Sequence, residues 1–305
     1  MQIAAQRTSA LKGHQGAVYA LEKAPWPGTL LSGGADKLIT AWNLKDGSHY
    51  PFMARFPAPV YSMCYIPELH LLLAGTSAGS IHIIDMERKE EVKILQHHTA
   101  QIFDIRYSWL QQSFYSVGGD GNFAICSIQD LSLIRIKRLA ATKLRQMDIR
   151  ADQKAIAIAS GDGKIHLIDL RDYKELLSFT AHDLSANAVR FHPEGKMLLT
   201  GGKDAYLKVW DMKENYELSH SIPAHNYAIY AICFSPDGQL FATASRDKTV
   251  KIWDSSSFEL KLRINQEKQG GHVNSVNTLL WSDTPSCLVS AGDDRSLLKW
   301  DISIS

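Results

Sequence analysis

The chain has 305 residues, 33 Lys and Arg against 32 Asp and Glu for a formal charge of +1, and 45% hydrophobic residues. That balance describes a globular chain and excludes a disordered or collagen-like one. It also argues against a protein whose main work is gripping nucleic acid or anionic lipid, because such proteins need a large cationic surplus.

Length alone suggests about two domains of roughly 150 residues. The N-terminus, MQIAAQRTSALKGH, is too polar for a signal-peptide core, and no apolar run approaches the roughly 18 residues of a membrane span. Cys64, Cys126, Cys233 and Cys287 stand too far apart for CxxC pairs, each within an apolar stretch. They read as small buried hydrophobes of a reducing compartment, so the expected location is cytoplasmic.

In chain order, seven segments end on an apolar strand with one residue at a fixed place. They are TAWN (Trp42), HIID (Ile84), AICS (Cys126), HLID (Ile168), KVWD (Trp210), KIWD (Trp253) and LKWD (Trp300). The steps between them are 42, 42, 42, 42, 43 and 47, which is the signature of an internal repeat.

Three polar columns keep this register. Six residues before the large residue stand Asp36, Ala78, Asp120, Asp162, Asp204, Asp247 and Asp294. Ten before it stand Ser32, Ala74, Ser116, Ile158, Thr200, Thr243 and Ser290; twenty-eight before it stand His14, Phe56, His98, Ala140, His182, His225 and His272. Within one copy, AIYAICFS (228–235), QLFATAS (239–245) and TVKIWD (249–254) alternate with period two, and ELKLRI (259–264) adds a weaker fourth strand. Four antiparallel strands repeating every 40 to 45 residues or so make a propeller blade.

Gly13-His14, Gly271-His272, Ala181-His182, Ala224-His225, FSPDG (234–238), the turn Asp and the terminal WD are motifs through which the chain resembles the WD40 repeat family along its whole length. The resemblance implies an all-β, seven-bladed β-propeller of four-stranded antiparallel blades, one domain over residues 1–305. Five residues follow Trp300, too few for a fourth strand, so residues 2–11 are expected to supply the outer strand of the last blade and close the ring.

Recurring Asp, His and Ser or Thr look superficially like a hydrolase triad. The resemblance implies a buried hydrogen-bond relay instead, from turn Asp to His to hydroxyl to indole. A catalytic site occurs once, whereas the full set occurs four times. The sets are His14, Ser32, Asp36, Trp42; His182, Thr200, Asp204, Trp210; His225, Thr243, Asp247, Trp253; and His272, Ser290, Asp294, Trp300.

Copy two has lost all four members, copy four keeps only Asp162, and copy three has Cys126 for Trp; these copies are expected to be the softest. GTSAGS (75–80) lacks the central Ser of a nucleophile elbow, and neither GxxxxGK[ST] nor GxGxxG after a strand occurs. His82 and His166 share a repeat position on different blades, and His97 and His98 lack paired ligand spacing. No enzyme activity, metal or cofactor is expected.

In the family the narrow upper face is built by the turn before the Asp column and the residues just after His. Twenty-three residues before the large residue stand Tyr19, Tyr61, Phe103, Arg145, Asn187, Tyr230 and Asn277. Two earlier is Lys143 in copy four, and just before the Asp column stand Lys203 and Arg246. The aromatic and cationic side chains among these are the types that dominate interfaces.

The function expected is a non-catalytic scaffold, part of a larger complex, holding a protein or peptide with apolar and acidic side chains. Tyr19, Tyr61, Phe103, Lys143, Arg145, Lys203, Tyr230 and Arg246 are the candidate contacts. Two rivals stand beside it: a nucleic-acid adaptor using the basic run 135–154, and an enzyme with a channel-lined site. Overall neutrality makes nucleic acid the weaker partner. The loop NQEKQGG (265–271) is expected to project from the same face.

Overall fold

A computed structural model describes residues 3–283 and 286–304. Among the described residues the chain forms seven four-stranded antiparallel sheets, the blades of a β-propeller. In blade 4 the order is Leu144–Ile149, Ala155–Ser160, Lys164–Asp169, Glu175–Thr180, from inner to outer strand, and blades 1 to 6 all follow this up-and-down pattern. The second strands are buried almost throughout, Thr29–Gly34 wholly so, which explains their apolar and small residues. Outer strands such as Glu175–Thr180 alternate exposed with partly buried positions, as a strand with one wet face must.

Two compact units appear: residues 1–60 with 225–305, and residues 61–224. The first holds blades 6, 7 and 1. Ile252, Trp281, Leu288 and Trp300 pack between blades 6 and 7, while Leu11, Leu30, Trp42, Val289 and Leu297 pack between blades 7 and 1. The second holds blades 2 to 5, with Ile83, Ile105 and Phe114 between blades 2 and 3, Tyr115, Met147 and Ile158 between 3 and 4, and Leu167, Val189 and Trp210 between 4 and 5.

Blade 7 takes its outer strand from the other end of the chain. Ile3–Lys12 runs antiparallel to Ser296–Ile304, with Arg7 opposite Trp300. The strand buries Ile3 and Leu11, and Arg7 donates from Nη1 to the Gly270 carbonyl. The expected span was 2–11; Gln2 lies outside the described residues. The 265–271 insertion is a short helix, Gln266–Gln269, rather than an irregular loop. Asn265 caps it by accepting the Lys268 N–H, and Gly270 ends it in the left-handed conformation.

Each inner strand is a sheet edge whose free backbone groups need partners. In the unit 61–224 they find them on the neighbouring blade. Asp104 accepts the Met147 N–H at 2.7 Å, Gln146 the Val189 N–H at 3.0 Å, and Asp148 the Phe191 N–H at 2.8 Å. In the other unit Asn277 donates to the Val18 carbonyl at 3.0 Å.

Candidate functional site

The His and Asp columns meet at one end of each blade, here termed the upper end. In blade 1 His14 donates from Nδ1 to Asp36 at 2.8 Å, accepts the Ser32 hydroxyl at Nε2 at 2.7 Å, and Ser32 in turn accepts the Trp42 indole N–H at 2.7 Å. The same chain runs through His182, Asp204, Thr200 and Trp210, through His225, Asp247, Thr243 and Trp253, and through His272, Asp294, Ser290 and Trp300. Every buried polar atom along it has a partner. Burial pushes the Asp294 carboxyl up, but the His272 ring, the Ser296 hydroxyl and the Val273 N–H outweigh it and hold the group at about 2.

Blade 3 lacks the indole, and a residue that the repeat columns do not contain takes its place. His98 bonds Asp120 at 3.0 Å and Ser116 at 2.8 Å, and His97 Nε2 reaches the same Ser116 hydroxyl at 3.2 Å. The relay of this copy therefore runs from Asp120 through His98 to Ser116 and ends on His97 instead of an indole. Cys126 is buried without polar work, its thiol pushed up to about 12 by burial.

Burial, and then the neighbouring His98, push His97 down to about 4. A group depressed on folding leaves the unfolded chain binding more protons between about pH 6.5 and 4, so stability is present above that window and lost as pH falls through it. At 1.36 kcal/mol per unit the loss from His97 is on the order of 3 kcal/mol. His97→Gln, which keeps an N–H donor but cannot titrate, should remove that part of the acid sensitivity. Urea unfolding at pH 7 and pH 4.5 checks it; equal acid sensitivity in both proteins would exclude the assignment.

The slot twenty-three residues before the large residue has a geometric identity. In blades 1, 3, 4, 5, 6 and 7 the first strand carries a β-bulge, and the residue skipped by the ladder is Tyr19, Phe103, Arg145, Asn187, Tyr230 or Asn277. A bulge bends the strand and re-aims the extra side chain. The turn before the Asp column docks on the same place, as where Gly161 N–H meets the Lys143 carbonyl and Lys203 N–H the Ser185 carbonyl.

In the unit 61–224 five candidate residues gather. Phe103 meets Tyr61 edge-on at 5.6 Å between ring centroids, and the Arg145 guanidinium lies over the Phe103 ring at 4.8 Å. Lys143 and Lys203 are exposed beside them. The charge of Arg145, then burial and the charge of Lys203, lower the Lys143 pKa. Like charges thus crowd together next to an aromatic pair.

In the other unit Tyr19 and Tyr230 are half-buried and Arg246 is exposed. Arg246 lies 5.9 Å from the ring of Tyr227, which is 60% exposed. Tyr227 is missing from the candidate set because it sits two residues after His225, outside the columns compared.

The basic run 135–154 does not form one sector. Arg135, Lys137 and Arg138 lie on the outer strand Leu133–Arg138, whereas Lys143 and Arg145 lie at the upper end of the next blade. Arg150 pairs with Asp152 at 2.9 Å in the turn at that blade's opposite end. The run thus spreads over the outer strand of blade 3, whose end at Arg138 lies opposite Asn122 beside the Asp120 turn, and over both ends of blade 4.

The inner strands also carry charges that the sequence reading passed over: Asp104 with Arg106 at 3.2 Å and Asp148 with Arg190 at 3.3 Å, the two arginines also donating to the Met147 carbonyl. Polar residues at alternate positions of otherwise apolar strands were the available signal. Burial raises the Asp148 pKa, opposed by Arg190, Arg106 and the Phe191 N–H. These acids are matched by cations and tie blades together. Among the described residues no three His, Cys, Asp or Glu side chains group to hold a metal ion, and no helix is long and apolar enough to cross a membrane.

Seven four-stranded blades with a repeated Asp-His-hydroxyl-Trp relay define a WD-repeat propeller. The family model for the WD domain, G-beta repeat, matches residues 5–43, 173–211, 216–254 and 265–301, about half the chain, and the chain belongs to this WD40 family. It is similar to pre-mRNA-processing factor 19 of Bos taurus, 24% identical over 50% of this chain and 31% of the relative. It is also similar to eukaryotic translation initiation factor 3 subunit I of Aspergillus oryzae, 23% identical over 67% of this chain and 64% of the relative. A third relative is guanine nucleotide-binding protein subunit beta-like protein 1 of Mus musculus, 24% identical over 47% of this chain and 44% of the relative. The chain thus spans less than two thirds of the length of each. The matched segments are the four copies with complete relays, and the degenerate copies two to four fall outside them.

Proposed function

We propose that this protein is a non-catalytic interaction scaffold that holds a protein or peptide at the upper ends of its blades and works within a larger, cytoplasmic complex. WD40 propellers generally bind proteins, and the names of the relatives, a pre-mRNA-processing factor and a translation initiation factor subunit among them, fit such a role. The observation that carries the reading is the cluster of Tyr61, Phe103 and Arg145 with Lys143 and Lys203. Aromatic faces supply desolvated contact area, and three cations crowded together favour an acidic partner. Tyr19, Tyr230 and Arg246 offer the same chemistry in the other unit.

Affinity purification from the native host followed by mass spectrometry tests this. Tyr61→Ala with Arg145→Glu should reduce recovery of the specific partner at least about tenfold, the effect of losing roughly 1.4 kcal/mol, with the melting temperature unchanged. Equal recovery by mutant and wild type would overturn the reading.

A further inference from the structure

The residue just before the Asp column carries a side chain in five blades, as Ala35, Ser77, Lys203, Arg246 and Asp293, and is glycine in blades 3 and 4. Neither Gly119 nor Gly161 has a positive φ, so the turns do not call for glycine on conformational grounds. What the two glycines leave is room. A β-carbon on Gly161 would lie 3.1 Å from Lys143 Cγ, and one on Gly119 would lie 2.8 Å from Gln101 Oε1 and 3.6 Å from the Phe103 ring. Their N–H groups dock on the inner ends of these blades, Gly119 on the Gln101 carbonyl at 2.8 Å and Gly161 on the Lys143 carbonyl at 2.7 Å. The two turns form a floor of bare backbone against which Phe103 and the Lys143 stem lie.

The borders of this notch differ in kind. Toward blade 2 stand the Tyr61 and Phe103 rings, edge-on at 5.6 Å. The Arg145 guanidinium, 4.8 Å from the Phe103 ring, brings charge beside them, and Lys143 lies two residues earlier in the chain. Toward blade 5 the Lys203 N–H meets the Ser185 carbonyl, next to Leu184, which is 50% exposed. Asp120, Asp162 and Asp204 accept N–H groups of their own turns, those of Asn122, Lys164 and Tyr206. Asp183, next to Leu184, is an exposed acid of the rim, and the three cations outweigh it.

Blade order therefore sets out aromatic faces, then cations, then a leucine. Along an extended chain the side chains of one face recur about every 7 Å. That falls between the single step of 4.8 Å from Phe103 to Arg145 and the double step from Tyr61. An apolar side chain seated on both rings and an acid at Arg145 are then two residues apart. Uncovered turn backbone also suits an extended segment, whose N–H and C=O groups need partners, better than a helix, whose groups are bonded internally.

We propose that the glycine notch over blades 3 and 4 takes an extended segment of the partner, with an acidic side chain at Lys143, Arg145 and Lys203 and an apolar side chain on either side of it, one at Tyr61 and Phe103 and the other at Leu184. This rests on the scaffold reading above and adds to it the conformation and the register of the bound segment.

A phage-displayed random peptide library is panned on the full-length protein, with an excess of free Tyr61→Ala/Arg145→Glu protein as competitor, so that only peptides needing the upper end are retained. Aligned, these should carry Asp or Glu two residues from Leu, Ile, Phe or Trp. As synthetic peptides they should bind at least about tenfold more weakly to Lys143→Glu and to Leu184→Ser. Exchanging the peptide's acid for Lys should restore binding to Lys143→Glu. Both substituted residues are exposed, and unchanged melting temperatures establish that the variants fold. If no peptide depends on the upper end, the scaffold reading fails and the notch falls with it. If peptides depend on it but lack an acid, place it three or four residues from the apolar residue as a helix would, or bind Lys143→Glu and Leu184→Ser as tightly as wild type, the notch alone is overturned and the scaffold reading stands.

Discussion

Deletion of residues 1–10 should leave a protein that melts at least about 10 °C lower, or one without a cooperative transition. The strand Ile3–Lys12 covers the outer edge of Ser296–Ile304 along nearly its whole length. Its removal strips the cover from Trp300, Ile302 and their neighbours and exposes what Ile3 buries. One aliphatic side chain is worth about 1.5 to 3 kcal/mol and each ladder hydrogen bond roughly 1. The total, on the order of 5 to 8 kcal/mol, is comparable with the whole stability of many domains. The naked edge would also template pairing with other chains, so aggregation should rise on heating. Scanning calorimetry with light scattering measures both, and a truncated chain with an unchanged melting temperature would sink the assignment.

Thr200→Val is expected to lower stability by about 2 to 6 kcal/mol. Thr200 is fully buried, and valine reproduces its shape, so packing is kept. What disappears is the hydroxyl that His182 and Trp210 share at 2.9 Å each. Two buried groups are then stranded, at about 1 to 3 kcal/mol apiece. Thr200→Ser, which keeps the hydroxyl, should lose less than half as much. Urea unfolding at neutral pH decides it: valine as stable as serine would mean that the relay contributes nothing. Blade 2 shows the other way out, with Phe56, Ala74 and Ile84 all apolar and buried, so no partner is left alone.

The blades were legible in the sequence because two periodicities coincide there, the alternation within a strand and the step of 42 between copies. The four complete relays were legible for the same reason, since their members keep fixed distances along the chain. His97 was not, because it reaches Ser116 from the position beside the column, and only the fold shows that its ring arrives where an indole should be. The charged groups of the inner strands were hidden likewise: Asp104 and Arg106 share one strand but both bond the Met147 backbone of the next blade, and Asp148 pairs with Arg190 of the blade after its own. The basic run was legible as residues but not as a surface, because it spreads over the outer strand of blade 3 and both ends of blade 4. Of the candidate surface, the residue types could be read, but not which of them touch. Tyr61, Phe103 and Arg145 stand 42 residues apart, and their contact is made by the stacking of blades.

The bulge at the start of the inner strands has a consequence for how such a protein can change. Tyr19, Phe103, Arg145, Asn187, Tyr230 and Asn277 fall outside the regular ladder pairing, and none belongs to a His-Asp relay. At Tyr19, Phe103, Arg145 and Tyr230, the contacts proposed above, the choice of side chain is thereby separated from the ladder and the relays, whereas Asn277 also ties its blade to the Val18 carbonyl. A lineage can exchange a tyrosine for an asparagine or an arginine there, one blade at a time, and try new partners while the scaffold beneath stays the same.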